Sequence, residues 1–260
     1  KYELPSNVYI IQMPLSEIMS RLEGVTGIMP CINTPYKLCD CRPLFEKIFQ
    51  DIIKDYSYWA TGDCDLIYGN LDKKLLEIDY ESFEMISVRK YWTTGSLNIY
   101  KNTQKINELF LRNPDLRKIL TTSKGFAADE SGGFWYELSH GTPLESLTAE
   151  VKTLTHLVTD SDIKWYHDDL FCEQLQGNEI LAVSKDGIKS LKTQKEIFAF
   201  HYVNHKKTFI FSLPEWEKIP DVYYIDASGF FTEKTCCRNI LTIFNLLRLN
   251  LYLTIKQIYR

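Results

Sequence analysis

Asp63 and Asp65 stand one residue apart, after Trp59-Ala60-Thr61-Gly62 and ahead of Leu66-Ile67-Tyr68-Gly69-Asn70. Two carboxylates so spaced at a strand end suit a hard divalent cation. Mg²⁺ and Mn²⁺ prefer oxygen ligands, keep some water, and are commonly bound by one or two carboxylates plus substrate phosphates. The competing reading is a solvated acidic turn, which the same residues form readily. Successive side chains of an extended segment point to opposite sides. Cys64 therefore faces away from any ion that Asp63 and Asp65 share.

Three more groups of chemically able residues follow. Thr93-Thr94-Gly95-Ser96-Leu97-Asn98-Ile99-Tyr100-Lys101-Asn102 is a Gly-led strand, and a glycine at 95 lets backbone approach a ligand closely. Asp129 and Glu130 form an acidic pair in a Gly-rich stretch. His201, His205, Lys206 and Lys207 lie at the end of an apolar run. Imidazole is a reasonable third ligand for Mn²⁺, less so for Mg²⁺. His201, between apolar neighbours, equally fits a hydrogen-bonded core histidine. His205 competes as a ligand, but Lys206 and Lys207 beside it point to exposure. Asp40 caps a helix starting near Pro43, makes a buried hydrogen bond, or touches a ligand. Trp92 and Trp135 stack on a sugar face or fill core. Asp168-Asp169 reads as the first turn of a helix rather than a second metal site.

The elements that must position these residues alternate. Asn7 to Met13 reads as a buried strand, rich in β-branched and aromatic residues. Ser16 to Leu22 reads as a helix with Ser16 as N-cap. Leu44 to Tyr56 has apolar residues at helical spacing, and Tyr58 to Ala60 forms a strand that stops at the two aspartates. A helix over Leu71 to Ile78, strands over 85–88 and 95–100, and a helix over Thr103 to Leu111 follow, with Pro114 marking the break. Residues 121–150 are loop-rich. Glu196 to Tyr202 and Thr208 to Leu213 read as strands. The alternation predicts an α/β fold with a mixed, mostly parallel sheet flanked by helices.

The chain of 260 residues suffices for one large domain or two small ones. Its net charge of −4 argues against a nucleic-acid partner, which calls for a basic excess. Seven cysteines, an odd number without zinc-site spacing, point to reduced thiols and a cytoplasmic location. The aromatic residues suit sugar faces, although most are expected in the core. The chain begins at Lys1 and lacks an initiating Met, so an N-terminal segment is expected to be missing. Residues 239–260, NILTIFNLLRLNLYLTIKQIYR, are apolar and basic without an acidic residue. As a helix they either pack on the body of the domain or lie on an anionic membrane surface with Arg248, Lys256 and Arg260 near headgroups. A full span is disfavoured, because Arg248 would sit near its middle.

Taken in chain order, the four groups resemble a GT-A glycosyltransferase. More narrowly, Pro35-Tyr36-Lys37-Leu38-Cys39-Asp40, followed by a helix and then by Asp63 to Asn70, resembles a family of bacterial glycosyltransferases from capsule and surface-polysaccharide gene clusters. That family typically carries another residue at Cys41, often aromatic, and Asp-x-Asp-Leu-Ile-Phe-Gly-Asp around the motif. The order is also similar to retaining transferases of the glycogenin-like type. The resemblance implies a GT-A-like (Rossmann-like) domain over residues 1–235, lacking one N-terminal strand–helix unit, and a C-terminal helix over 236–260. It implies Asp63, Asp65 and His201 as ligands of Mn²⁺ or Mg²⁺, and Thr94 and Gly95 beside the donor sugar. Asp40 and Asp63 would contact the donor, Lys206 or Lys207 the diphosphate, and Asp129 and Glu130 the anomeric carbon.

The expected activity is transfer of a sugar from a nucleotide-sugar, a UDP-sugar first, to a glycan or lipid-linked glycan of capsule or lipopolysaccharide. The setting is cytoplasmic, or peripheral at the inner membrane face through 239–260. The resemblance favours retention of configuration, while Asp129 or Glu130 as general base would serve inversion. The alternative is a non-catalytic carbohydrate-binding or scaffold protein with a degenerate transferase fold. A hydrolase with Asp129 and Glu130 as its carboxylate pair ranks third, because adjacent residues rarely flank a scissile bond at the needed separation.

Overall fold

The computed structural model describes residues 4–175 and 179–233, which fall into two compact units of mixed α/β structure. The first comprises residues 4–63 and 79–169, the second 64–78 and 170–233.

The first unit holds a four-stranded sheet in the order Tyr58–Gly62, Leu97–Lys101, Met85–Ser87, Trp165–His167. The first three pair antiparallel, and the fourth runs parallel to Met85–Ser87. Trp59 opposes Tyr100 in register, and their rings stack at 4.2 Å, the kind of cross-strand pair that stabilises a sheet. The indole N–H is donated to Asn107 Oδ1 at 3.1 Å. Helix Leu15–Thr26 buries Leu22 in the same core, with Ile18, Met19 and Val25 partly covered. Gly27, at φ 66°, ends that helix by donating its N–H to Glu23 O. Phe110, Ile119, Leu120, Leu154 and Val158 complete the core.

The second unit contains a three-stranded sheet, with Ala199–His201 between antiparallel Leu66–Tyr68 and parallel Phe171–Cys172. A five-stranded antiparallel sheet runs Gly229–Phe231, Val222–Asp226, Leu181–Ser184, Gly187–Ser190, Glu196–Ile197. Leu175, Leu181, Val183, Ile188, Phe200 and Ile225 form its core. Helix Leu71–Glu77 starts where Asn70 accepts the Lys73 N–H.

The expectation of a mostly parallel sheet is corrected: seven of the nine strand pairings among the described residues are antiparallel. Two tight hairpins, closed by Lys185-Asp186 and by Ala227-Ser228, account for part of this. Both end on a glycine at positive φ, Gly187 at 124° and Gly229 at 137°, as short hairpin loops favour. Residues 7–13 form no strand; Tyr9 is 81% exposed and Ile10 72%. Thr208 to Leu213 holds turns and one bridge, Ser212 to Gly229. Asp168-Asp169 precedes strand Phe171–Cys172 rather than a helix, and Asp169 accepts the Lys90 N–H.

Ser16 lies inside its helix, behind N-cap Pro14. The helix expected over 44–56 breaks at Phe49 into Phe45–Ile48 and Gln50–Ile53, after a 3₁₀ stretch Pro35–Leu44. The helix expected over 103–111 shortens to Gln104–Asn107, capped by Thr103, followed by a 3₁₀ turn Phe110–Arg112. No helix among the described residues is long and apolar enough to cross a membrane. The segment 236–260, with Cys236, Cys237 and the basic residues Arg248, Lys256 and Arg260, lies outside the described residues.

Candidate functional site

In the first unit the chemistry gathers on the loop 126–131. Asp40 holds that loop from 86 residues away. Its carboxylate accepts the N–H groups of Phe126 and Ala128, at 3.0 and 2.9 Å, and the Lys37 ammonium at 2.9 Å. Lys37 also donates to the carbonyls of Ile119 (2.5 Å) and Lys124 (2.9 Å). Both side chains are 1% exposed. A buried ion pair persists when its remaining donors and acceptors are satisfied, and here backbone groups satisfy them. Asp40 thus takes the buried hydrogen-bonding role and has no surface to offer a donor nucleotide.

Thr93 and Thr155 hold the loop from its other side. The Thr93 hydroxyl donates to Asp129 O at 3.1 Å, and Thr155 Oγ1 donates to Glu130 O at 2.6 Å. Ala127 takes φ 49°, a left-handed turn that costs a residue with a Cβ. The Glu130 and Gly132 N–H groups both donate to Ala127 O. This turn presents Asp129 inward and leaves Glu130 half-buried.

Arg42 links the carboxylates of this unit. Its guanidinium reaches Asp63 Oδ1 with one nitrogen and Asp129 Oδ2, at 3.2 Å, with the other. Asp63 is fixed at the strand end by donating its N–H to Ser96 O. Asp129 is fully enclosed. Burial, then the charge of Glu130, push its carboxyl well above the usual range, with Arg42 opposing. Gly95 donates its N–H to Glu130 Oε1 at 3.0 Å. Thr94 Oγ1 pairs with Ser96 Oγ at 2.7 Å and with Glu130 Oε1 at 3.4 Å. The other Glu130 oxygen accepts the Trp135 indole N–H at 2.7 Å. Trp135 is 45% exposed whereas Trp92 is buried, so only Trp92 fills core.

In the second unit Asp65 is the centre. Its N-terminal neighbour Cys64 is exposed. Asp65 Oδ1 lies 3.2 Å from His201 Nε2, and Oδ2 lies 2.7 Å from Lys206 Nζ. His201 sits opposite Leu66 in the antiparallel pair, which brings imidazole and carboxylate together. Its other ring nitrogen lies 3.5 Å from Glu173 Oε1. Burial raises the Asp65 carboxyl, but Lys206 and His201 outweigh it and leave the pKa lowered. Lys207 is exposed.

The expectation of an exposed His205 is corrected. The ring is buried among Phe200 and Phe211 and accepts the Leu175 N–H on Nε2 at 3.2 Å. Burial pushes its pKa down to about 4. It is a neutral core histidine, its acceptor nitrogen spent on backbone.

Arg42, Lys37, Glu173 and Thr155 were not singled out by the sequence reading. Arg42 had one available signal, its place two residues after Asp40 in the phrase Cys39-Asp40-Cys41-Arg42-Pro43. Lys37 had another, its place three residues before Asp40, while Glu173 and Thr155 depend on contacts across longer chain separations.

The two units thus define a mixed α/β protein with carboxylates, imidazole, guanidinium and ammonium groups drawn into buried or half-buried pairs. The chain belongs to the family of unknown function DUF6625, which it matches over residues 1–234. No curated protein and no solved structure matches it.

Proposed function

We propose that this chain is a metal-dependent glycosyltransferase with a GT-A-like fold. It would transfer a sugar from a nucleotide-sugar, a UDP-sugar first, to a glycan or lipid-linked glycan acceptor of the bacterial surface. The observation that carries the reading is Asp65, a buried carboxylate at a strand end that meets an imidazole on one oxygen and an ammonium on the other. That pairing suits a site in which the carboxylate and imidazole meet a cation and the adjoining ammonium meets a phosphate.

Asp63, Asp65 and His201 each offer one ligand atom. The chain itself keeps Asp63 within two residues of Asp65. Two carboxylates and an imidazole fit Mn²⁺ well and Mg²⁺ less well. When bound, the ion would neutralise charge developing on a leaving diphosphate. Lys206 would hold the same phosphates, with Lys207 as an outer charge, and fixed cations of this kind supply electrostatic stabilisation without reorganisation. Arg42 would hold Asp129 and Asp63 in place. Glu130, anchored by the Gly95 N–H beside Thr94, would face the sugar. Asp129, 2% exposed and paired with Arg42, would fix that guanidinium rather than touch the sugar. The work would take place in the cytoplasm, with the acceptor at the inner membrane face.

A second reading has an observation of its own. Arg42 is paired with Asp63 and Asp129, and Lys206 with Asp65. A set that neutralises itself needs no ligand, which suits a non-catalytic carbohydrate-binding or scaffold protein. Calorimetry with UDP and GDP, each with and without Mn²⁺, separates the two. Metal-dependent micromolar binding of either nucleotide supports the transferase and names its base. A folded sample that binds neither overturns it.

A further inference from the structure

The acidic loop of the first unit borders a cleft of about 290 Å³, walled by Phe126, Gly132, Gly133 and Trp135 and edged by Lys124 and Glu150. We propose that this cleft takes one pyranose ring of a glycan, with the Trp135 indole as its stacking face. As the acceptor end of the glycan, the ring gains its place from the transferase reading; as a saccharide site, it does not need it.

The indole is the first argument. Trp135 opens the short helix Trp135–Ser139 and leaves 45% of its surface in solvent. Its ring is nevertheless held in orientation, because the indole N–H is donated to Glu130 Oε2 at 2.7 Å. An exposed aromatic side chain fixed by a directional hydrogen bond is a ready-made platform for the apolar face of a sugar, and it loses little freedom on binding.

The rest of the cleft fits the same occupant. Gly132 and Gly133 stand at φ 76° and 94°, and a Cβ placed on Gly133 would meet nothing within 4 Å. A Cβ on Gly132 would lie 3.2 Å from Thr153 Cγ2, so the open space beside the backbone is at Gly133. At the rim Lys124 and Glu150 pair with each other, both more than half exposed. They offer hydrogen-bond donors and acceptors without net charge, which suits hydroxyl groups better than a phosphate or an acyl chain. The volume lies near the lower end of small-molecule sites, roughly 300 Å³, which favours one ring over an extended chain.

Glu130 joins the cleft to the candidate chemistry. One of its oxygens accepts the Trp135 indole N–H and the other the Gly95 N–H. A ring stacked on Trp135 would bring a hydroxyl toward the same carboxylate.

The test is saccharide binding by the chain alone, without nucleotide or metal. Methyl hexopyranosides and their disaccharides are titrated to about 50 mM, which saturates a site of low-millimolar Kd. Binding is followed by tryptophan emission and by saturation-transfer NMR. Saturable binding is expected, with strongest transfer to the protons on one face of the ring. Trp135→Leu should weaken it about three- to tenfold and Trp135→Phe less. Lys124→Ala, at an exposed position, should weaken it without disturbing the fold. No saturable binding to a folded sample overturns the proposal, as does binding that Trp135→Leu and Lys124→Ala leave unchanged. Sugar binding without Mn²⁺-dependent nucleotide binding leaves this cleft standing and removes the transferase. Nucleotide binding without sugar binding does the reverse.

Discussion

The carboxylate of Asp129 occupies the space that a side chain on Gly95 would need: a Cβ built there would lie 1.8 Å from Asp129 Oδ2 and 2.4 Å from Arg42 Nη1. Glycine at 95 therefore admits neighbouring side chains, where the sequence had suggested room for a ligand. Gly95→Ala must push Asp129 and Arg42 aside or shift the strand entry. Overpacking of this kind costs about 1–3 kcal/mol. The expected outcome is a lower thermal midpoint, by about 3–8 °C, with a larger proportional loss of any donor turnover. Calorimetric unfolding and a donor-hydrolysis assay check the pair; an unchanged midpoint would show that the loop yields freely.

Asp40→Asn tests the clamp on the same loop. The substitution leaves the Lys37 ammonium buried with two carbonyls and no counter-charge. Removing one partner of a buried pair costs about 3–5 kcal/mol. A urea titration should show the midpoint falling accordingly, while nucleotide affinity per folded molecule stays unchanged. Wild-type stability combined with lost nucleotide binding would return Asp40 to the donor site.

How much of this was legible in the sequence follows from the range of the interactions. The helix Leu71–Glu77 depends on neighbours in the chain, such as Asn70 capping Lys73, and the strand into Asp63, though paired with Leu97–Lys101, carries its own β-forming residues, so both were readable. His201 beside Asp65 was expected only through the resemblance, since its apolar neighbours equally fit a core histidine. The role of Asp40 was not readable, because its partners Phe126 and Ala128 lie 86 and 88 residues away. Val8 to Ile11 have strong β propensity, yet propensity describes a fit to a pleated, half-buried surface, and these residues are exposed. Lys185-Asp186-Gly187 is a local hairpin signal, and it closes the pair Leu181–Ser184 and Gly187–Ser190.

His205 gives stability a pH dependence whose sign is fixed by burial. Its pKa is about 4 in the folded chain and about 6.5 when unfolded. Above pH 6.5 the ring is neutral in both states and its contribution is complete. As pH falls from about 6.5 to about 4, the unfolded chain takes up a proton that the folded chain refuses, and stability drops by up to about 3 kcal/mol. Urea midpoints measured at pH 7 and pH 5 should differ more in the wild type than in His205→Gln, whose amide oxygen can still accept the Leu175 N–H. Equal slopes would mean that the ring is solvated.

Lys206 sits 2.7 Å from Asp65 Oδ2, so a cation approaching Asp65 meets a resident ammonium. Lys206→Ala should therefore raise the affinity for Mn²⁺ alone, by about three- to tenfold for a partly exposed charge. It should lower the affinity for UDP with Mn²⁺, because the phosphates lose a cation, and lower donor hydrolysis by about a hundredfold, as loss of one preorganised charge-stabilising group does. Opposite movement of the two affinities is a signature that a merely structural lysine would not produce. Asp65→Asn should abolish the Mn²⁺ dependence itself, and His201→Ala should weaken Mn²⁺ more than Asp40→Ala does. Should Lys206→Ala move both affinities together, the lysine is no competitor of the ion. Should Asp65→Asn leave Mn²⁺ binding intact, the metal site lies elsewhere.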